Sequence, residues 1–379
     1  MLDILPPAIT RTSFNVFPTA RLRPSPFYES AVAEGMVSAS IYNRMIMPTG
    51  YGDPMAEYWR IIQGVSQWDV GVERQVQIEG VDAAALVQML TVRDVSTCAE
   101  GQGKYVPICN HQGTLINDPI LLKLSDQKFW LSIADSDVWL WAKAIAAERS
   151  LKVEVTEPDV SPMAIQGPLA EDVVASVLGD WVRNLKYFWF KETELDGIPI
   201  AVQRSGWSKQ GGFEIYLRDG TQGTKLWNIF KEAGQPWGIG PGAPATAERT
   251  ESGLVSVGAD TDDQTNPFEV RLNKYVNLDL PDTVIGIKAL REIAAQGVKR
   301  HQLGLVLEGE LPEPLGFHRE VITHEGAFIG EMTNCVWSPR LQANIGYALI
   351  ATHGRIGDTV TVARKTGPVS ARLVDLPFL

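Results

Sequence analysis

The chain has 379 residues, 45% hydrophobic and 21% charged, an ordinary globular composition with room for two or three domains. A formal net charge of −11 argues against broad contact with nucleic acid or an anionic membrane face, because phosphates are held by clustered Lys and Arg. The three cysteines, Cys98, Cys109 and Cys335, fit no zinc or redox spacing, and an odd count argues against a disulfide framework, so reduced thiols in a cytoplasmic protein are expected.

The opening stretch MLDILPPAITRTSF has no basic start, and two prolines break its apolar run, so it reads as a poor signal peptide. No later run approaches the roughly 18 apolar residues of a membrane helix. Residues 1–25 read as an arm, with homodimerisation or disorder as the alternatives. SASIYNRMIMPTGYGDP follows as a short strand ending in a turn, and YWRIIQGVSQWDV reads as helix. ERQVQIEG sets Val76 and Ile78 against Gln75 and Gln77, a strand, and VDAAALVQMLTVRDV returns to helical spacing. GKYVPICNHQGTLINDPILLKL predicts a hairpin with its turn at Asn110 to Gly113. FWLSIADSDVWLWAKAIAAE predicts a strand feeding a helix, with Asp135, Ser136 and Asp137 as capping residues.

The same order then recurs. VEVTEPDVSPMAIQGPLAEDVVASVL gives strands and a helix started by Pro168. NLKYFWFKETELDGIPIAVQRSG gives two strands around an Asp-Gly turn, and GTKLWNIFKEAG an amphipathic helix ending on Gly234. Pro236 to Pro244, rich in Gly and Pro, reads as a linker or a wall. From about Leu303 the chain turns to short strands, which predicts a small all-β C-terminal domain. The fold class expected is α+β.

There is no GxxxxGK[ST], GxSxG, HExxH or CxxC. Five histidines, His111, His301, His318, His324 and His353, show no ligand spacing, so no metal is expected. What remains are polar groups at strand ends amid aromatics: Tyr105, Asn117, Asp118, Ser132, Asp135, Trp181, the run Tyr187 to Phe190, Trp207, Glu214 and Tyr216. In RSGWSKQGGFEIYL, Phe213, Ile215 and Leu217 take one strand face and Glu214 and Tyr216 the other. Aromatics beside a carboxylate suit a flat heterocycle with an N–H edge, or a cation. The competing reading is that the aromatics are core and Glu214 is surface.

RSGWSKQGGFEIYL resembles the RxGYTGExGxEI signature of the glycine-cleavage T-protein family of tetrahydrofolate-dependent methyl and aminomethyl transferases. QWDVGVERQVQIEG, GKYVPICNHQGTLINDPILL, MAIQGP, ERTESGLVSVGAD and EMTNCVWSPRLQANIGYALI resemble further family segments in the family's order, so the resemblance covers nearly the whole chain. It implies three domains in a ring around a central folate channel: residues 1–52 with 150–245 as a folate-binding domain, 53–149 with 246–290 as a second α+β domain, and 291–379 as a C-terminal β domain. It also implies that Glu214 binds the pterin of tetrahydrofolate, that Tyr105 lines the pocket and that Tyr187 or Phe188 lies beside the ring. Asn117 and Asp118, in the hairpin, would stand in the same cofactor site.

The stretches YNRMIMP, VGVERQVQI, LINDPILLKL, LSIADSD and VDLPFL resemble the branch of the family that demethylates sulfonium compounds. The implied reaction moves a methyl from a small zwitterion, dimethylsulfoniopropionate first among the donors, to N5 of tetrahydrofolate by positioning alone. Trp181 and Tyr216 would cradle the sulfonium with Ser132 nearby, and Arg44 or Lys209 would hold the donor carboxylate. Asn117 departs from the aspartate of the aminomethyl transferases, which suits a donor whose leaving group is a neutral thioether. Ser208, Lys209 and Gln210 replace the signature's Thr-Gly-Glu, and Arg44 stands where the sulfonium branch has His. Other donors (glycine betaine, dimethylglycine, an aryl methyl ether), aminomethyl transfer and non-catalytic folate binding are the alternatives; the last lacks its KGCYxGQE motif here.

Overall fold

The computed structural model describes residues 19–309 and 319–379. Most of the expected arm, residues 1–18, and His318 lie outside the described residues. Two antiparallel-rich sheets and a barrel carry the chain.

The first sheet has six strands, in the order Phe190–Leu195, Ile198–Gln203, Gly212–Leu217, Ser161–Gln166, Ser66–Asp69 and Gly240–Gly242. Its neighbours are antiparallel except the last, which lies parallel to Ser66–Asp69. The Gly- and Pro-rich stretch therefore supplies an edge strand, since Gly240 to Gly242 pair with Ser66 to Trp68. Phe213, Ile215 and Leu217 meet Val173, Val174, Leu226 and Phe230 of the helices Ala170–Leu178 and Gly223–Ala233 in one buried core. The period-two pattern of the strand thus faces the period-3.6 stripe of two helices.

The second sheet has five strands, in the order Glu154–Thr156, Gln75–Glu79, Lys128–Ser132, Ile120–Ser125 and Gly103–Tyr105, all antiparallel. Val76, Ile78, Phe129 and Leu131 pack outward on the helices Ala83–Leu90 and Val138–Glu148. The opposite faces of the two sheets meet: Leu122 and Trp130 of the second pack with Phe190, Ala201 and Tyr216 of the first. The expected hairpin is present, Ile108–Cys109 pairing with Leu115–Asn117 around the Asn110 turn.

Pairing divides the chain elsewhere than at 52/53 and 149/150. The helix Pro54–Gln63 is followed by Ser66–Asp69, a strand of the first sheet, where the sequence pattern suggests one continuous helix. Glu154–Thr156 pairs with Gln75–Glu79 in the second sheet. The chain crosses between sheets at Val70 to Arg74 and again at Glu157 to Val160.

The C-terminal strands Arg300–Leu307, Ala343–Ala351, Ala327–Ser338, Glu320–His324, Thr359–Arg364 and Gly367–Val374 close into a barrel, because Arg300–Leu307 pairs with both its second and its last member. Closure removes unpaired edges. Buried ion pairs join the barrel to the rest. Glu251, 0% exposed, accepts hydrogen bonds from Tyr58 Oη at 2.7 Å, Ser338 Oγ at 2.5 Å and Arg340 Nε at 2.9 Å. Asp260 takes Arg249 Nη1 at 2.6 Å and Asn334 Nδ2 at 2.9 Å. All three cysteines are free and buried.

Candidate active site

Glu214 and Tyr216 project from the first sheet toward the second, on the face opposite the helices. The strand is aimed by the loop before it. Gly206 and Gly212, at φ +151° and +149°, lie so close to the Gln166 amide that a Cβ would fall 2.0 Å and 2.5 Å from its atoms, so only glycine fits. Gln166 in turn holds the loop, its Nε2 donating to the Ser205 carbonyl at 3.0 Å and its Oε1 accepting from Ser208 Oγ at 2.8 Å. Ser205 is thereby set to donate to Glu214 Oε2 at 2.6 Å, and Tyr216 Oη lies 2.9 Å from the same oxygen. Gln203 Oε1 lies 3.1 Å from each of these hydroxyls. Burial pushes the Glu214 carboxyl above its usual range, against the pull of the two hydroxyls.

Facing it, Ser132 Oγ lies 3.3 Å from Glu73 Oε2 and accepts from Gln75 Nε2 at 2.9 Å. Gln75 and Ser132 are register partners, so the hydroxyl and the amide meet by strand pairing. Burial pushes Glu73 well above the carboxylate range, and Glu214 and Asp118 push it further. Its neighbour Arg74 turns the other way, to Glu157, with Nε at 2.8 Å. Asp118 Oδ2 accepts from Tyr105 Oη at 2.9 Å, and burial pushes it to about 7. Tyr42, at the tip of the Ser38–Gly50 hairpin, feels both Glu73 and Asp118, and its hydroxyl is raised by burial and then by those charges. Among the described residues, no Lys or Arg forms an ion pair with Glu73, Asp118 or Glu214.

The aromatic rim is built from two elements. Tyr105 packs on Tyr275 with ring centroids 4.8 Å apart, and Arg93 sits 5.0 Å over the Tyr275 ring. Tyr187, 58% exposed, packs on Phe188 at 4.3 Å. Phe188 adopts φ +64°, uncommon for a bulky residue, and is held there by Gly103 N–H to its carbonyl at 2.6 Å and its own N–H to the Arg204 carbonyl at 2.8 Å. Glu214 acts on the Tyr187 hydroxyl electrostatically, which ties this rim to the carboxylate.

The remaining sequence candidates fall elsewhere. Trp181 packs against the helix-side core of the first sheet, donates Nε1 to the Leu178 carbonyl at 2.7 Å and carries Lys191 4.6 Å over its ring. The sheet separates it from Tyr216, so the structure does not assemble the expected aromatic pair. Arg44, with a side chain 65% exposed, pairs with Asp137 at 3.0 Å. Lys209 is exposed at φ +61° in the glycine loop. Asn117 is buried, and its amide is consumed by the protein: Nδ2 donates to the Ala134 carbonyl at 2.9 Å and Ser136 Oγ at 2.8 Å, and Oδ1 accepts from the N–H groups of Asp118 and Ala134, each at 3.0 Å. It pins the hairpin rather than facing open space. Asp135 accepts the Asn43 N–H at 2.7 Å, and none of the trio caps the helix by a side-chain bond. Trp207 lies 5.4 Å from the Arg249 guanidinium. The sequence reading did not single out Glu73; its signal was a carboxylate opening the alternation ERQVQ on the Gln75 face.

The arrangement offers two opposed carboxylate positions, hydroxyls between them and an aromatic rim. That chemistry suits a planar ligand with N–H donors together with a cation.

Comparisons with known proteins agree with this architecture. Residues 27–280 match the GCVT N-terminal domain, and residues 300–379 match the glycine cleavage T-protein C-terminal barrel domain. The chain is 37% identical to the dimethylsulfoniopropionate demethylase DmdA of Ruegeria pomeroyi over 361 residues, 94% of this chain and 98% of that one. It is 30% identical to an aminomethyltransferase of Bacillus mycoides over 343 residues, 88% and 91% of the two chains. The crystal structure of the glycine cleavage system aminomethyltransferase T of Bartonella henselae superposes with a TM-score of 0.82 at 22% identity, over 94% of this chain and 98% of the other, and shares its fold.

Proposed function

Since the chain belongs to the glycine cleavage T-protein family, we propose that it is a tetrahydrofolate-dependent methyltransferase that demethylates dimethylsulfoniopropionate. The observation that carries this reading is the 37% identity to a demethylase of that substrate across 94% of the chain. Dimethylsulfoniopropionate and tetrahydrofolate give 3-methylthiopropionate, 5-methyltetrahydrofolate and one proton. The reading makes the protein a cytoplasmic enzyme of small-molecule partners; among the described residues no helix is long and apolar enough to cross a membrane.

The residues present fit a pterin. Glu214 Oε2 is occupied by two hydroxyls, while its Oε1 has no hydrogen-bond donor among the described residues and is free to take an N–H edge. Tyr187 and Phe188 supply ring faces and Tyr105 a wall. When bound, tetrahydrofolate supplies N5, whose lone pair is available near neutral pH. Ser205 and Tyr216 fix the Glu214 carboxylate and so limit where a ring can sit. Tyr216 and Ser132 stand between the two carboxylates, where a donor methyl would be held. Holding two reactants in line contributes several kcal/mol to a barrier. A sulfonium leaves as a neutral thioether and needs no acid at sulfur. Asn117, with its amide saturated, supplies none.

Incubation of the purified chain with tetrahydrofolate and dimethylsulfoniopropionate tests the reading. Equimolar 3-methylthiopropionate and 5-methyltetrahydrofolate are expected. Turnover of glycine betaine, dimethylglycine or an aryl methyl ether in preference to the sulfonium would replace it.

A further inference from the structure

We propose that Glu73 is the donor-specificity residue, its carboxyl ionising as the donor binds to serve as the counter-charge to the sulfonium while Glu214 serves the pterin. This rests on the reading above and names the group that selects a cationic donor.

The two carboxylates are held on opposite sheets and linked through hydroxyls. Glu214 Oε2 lies 2.9 Å from Tyr216 Oη, and Glu73 Oε2 lies 3.3 Å from Ser132 Oγ. Tyr216 and Ser132 are in contact, so the path from one carboxylate to the other is two side chains long. Glu73 feels the charges of Glu214 and Asp118, Asp118 feels that of Asp260, and no Lys or Arg among the described residues pairs with Glu73, Asp118 or Glu214. Burying like charges without a counter-ion is costly, and a protein that retains such an arrangement meets it with protons or with a bound cation.

The two positions are not equivalent. Glu214 stands with the aromatic rim, since its charge reaches Tyr187. Glu73 stands with Ser132, Tyr42 and Gln75. Gln75 Nε2 also donates to the Glu73 carbonyl at 2.7 Å, so backbone and side chain of Glu73 are both placed from the same strand. Arg74, the nearest cation in sequence, is committed to Glu157 and cannot neutralise Glu73. A dimethylsulfonium group seated against Tyr216 and Ser132 would therefore meet the Glu73 carboxylate.

A counter-charge at sulfur favours the bound donor more than the transition state, in which positive charge is leaving sulfur. Removing it should act on KM more than on kcat. The discriminating probe is 4-methylpentanoate, the carbon analogue that keeps the donor's carboxylate and carries a neutral isopropyl group in place of the sulfonium. In Glu73→Gln, KM for dimethylsulfoniopropionate should rise by about 30-fold while kcat holds or rises by less than about threefold. The inhibition constant of 4-methylpentanoate should stay within about twofold, and so should the tetrahydrofolate Kd measured by calorimetry. Glu73→Asp, which restores the charge, should recover most of the preference for the sulfonium over its carbon analogue, and it carries the test if Glu73→Gln does not fold. Equal weakening of cation and analogue, or a lost tetrahydrofolate affinity with donor KM unchanged, would overturn the assignment while leaving the function intact. A wild-type protein that does not consume dimethylsulfoniopropionate would instead sink the function itself, and the assignment with it.

Discussion

The seam between barrel and sheets and the chamber between the two sheets both bury carboxylates, and they treat them oppositely. At the seam four acids have a guanidinium: Glu251 has Arg340, Asp260 has Arg249, and Asp262 and Glu269 share Arg300, while the buried Glu248 beside them accepts only the Ala245 N–H. In the chamber Glu73, Asp118 and Glu214 have only hydroxyl and amide neighbours. A matched pair settles its own electrostatics and fixes geometry, whereas an unmatched acid leaves part of that settlement to whatever enters. The contrast marks the seam as architecture and the chamber as chemistry.

The comparison can be broken from either side. The largest effect is expected in the chamber, where Glu214→Ala should weaken tetrahydrofolate binding by about 100-fold or more, because a buried charged acceptor is removed. Calorimetry reads it, and an unchanged affinity would take Glu214 out of the pocket. Next comes the seam: Arg340→Ala leaves Glu251 buried and uncompensated, at a cost of about 3 kcal/mol in denaturant unfolding. A loss below about 1 kcal/mol would mean that the seam is not held by its charges.

A smaller effect sharpens the difference by pH. Asp118 is raised by burial to about 7, so the folded state binds its proton more tightly than the unfolded chain does. The stabilisation this gives is complete below the ordinary aspartate range and is lost as pH rises through about 7. Asp118→Asn escapes that loss, and its melting temperature relative to wild type should climb between about pH 4 and pH 7, by a few degrees. A flat difference would place Asp118 in a wetter setting. The least effect belongs outside both regions. Arg44→Ala breaks an exposed pair with Asp137 and should cost under about 0.5 kcal/mol with donor KM unchanged. A raised KM would return Arg44 to the donor carboxylate.

Much of this was legible in the sequence. The alternation from Phe213 to Leu217 announced its two faces, and the structure gives one to the helices and one to the second sheet. The barrel was visible as closely spaced short strands. The crossing points were not, because whether Ser66–Asp69 belongs to the first sheet depends on Met163 to Gln166, about a hundred residues away. Trp181 shows the limit for side chains: an indole suits a cation in either setting, and only the sheet's orientation turns it to the core. Asn117 was read by its type, yet its amide is spent on Ala134, Ser136 and its own neighbour's N–H. Glu73 was hidden by Arg74 beside it, since an adjacent acid and base look like solvated surface until a second sheet covers one of them.

That adjacency has a consequence for how the chain tolerates change. Glu73 and Arg74 sit where the polypeptide passes from one sheet to the other, and successive residues there point to opposite sides. The strand Gln75–Glu79, with Val76 and Ile78 fixed in the core, sets which of the two faces inward, so one residue added or deleted between Asp69 and Glu73 would be taken up in the crossing and leave the carboxylate inside. One residue inserted between Arg74 and Gln75 would shift both out of phase with that strand, and the crossing thus tolerates length changes on one side of Glu73 and not on the other.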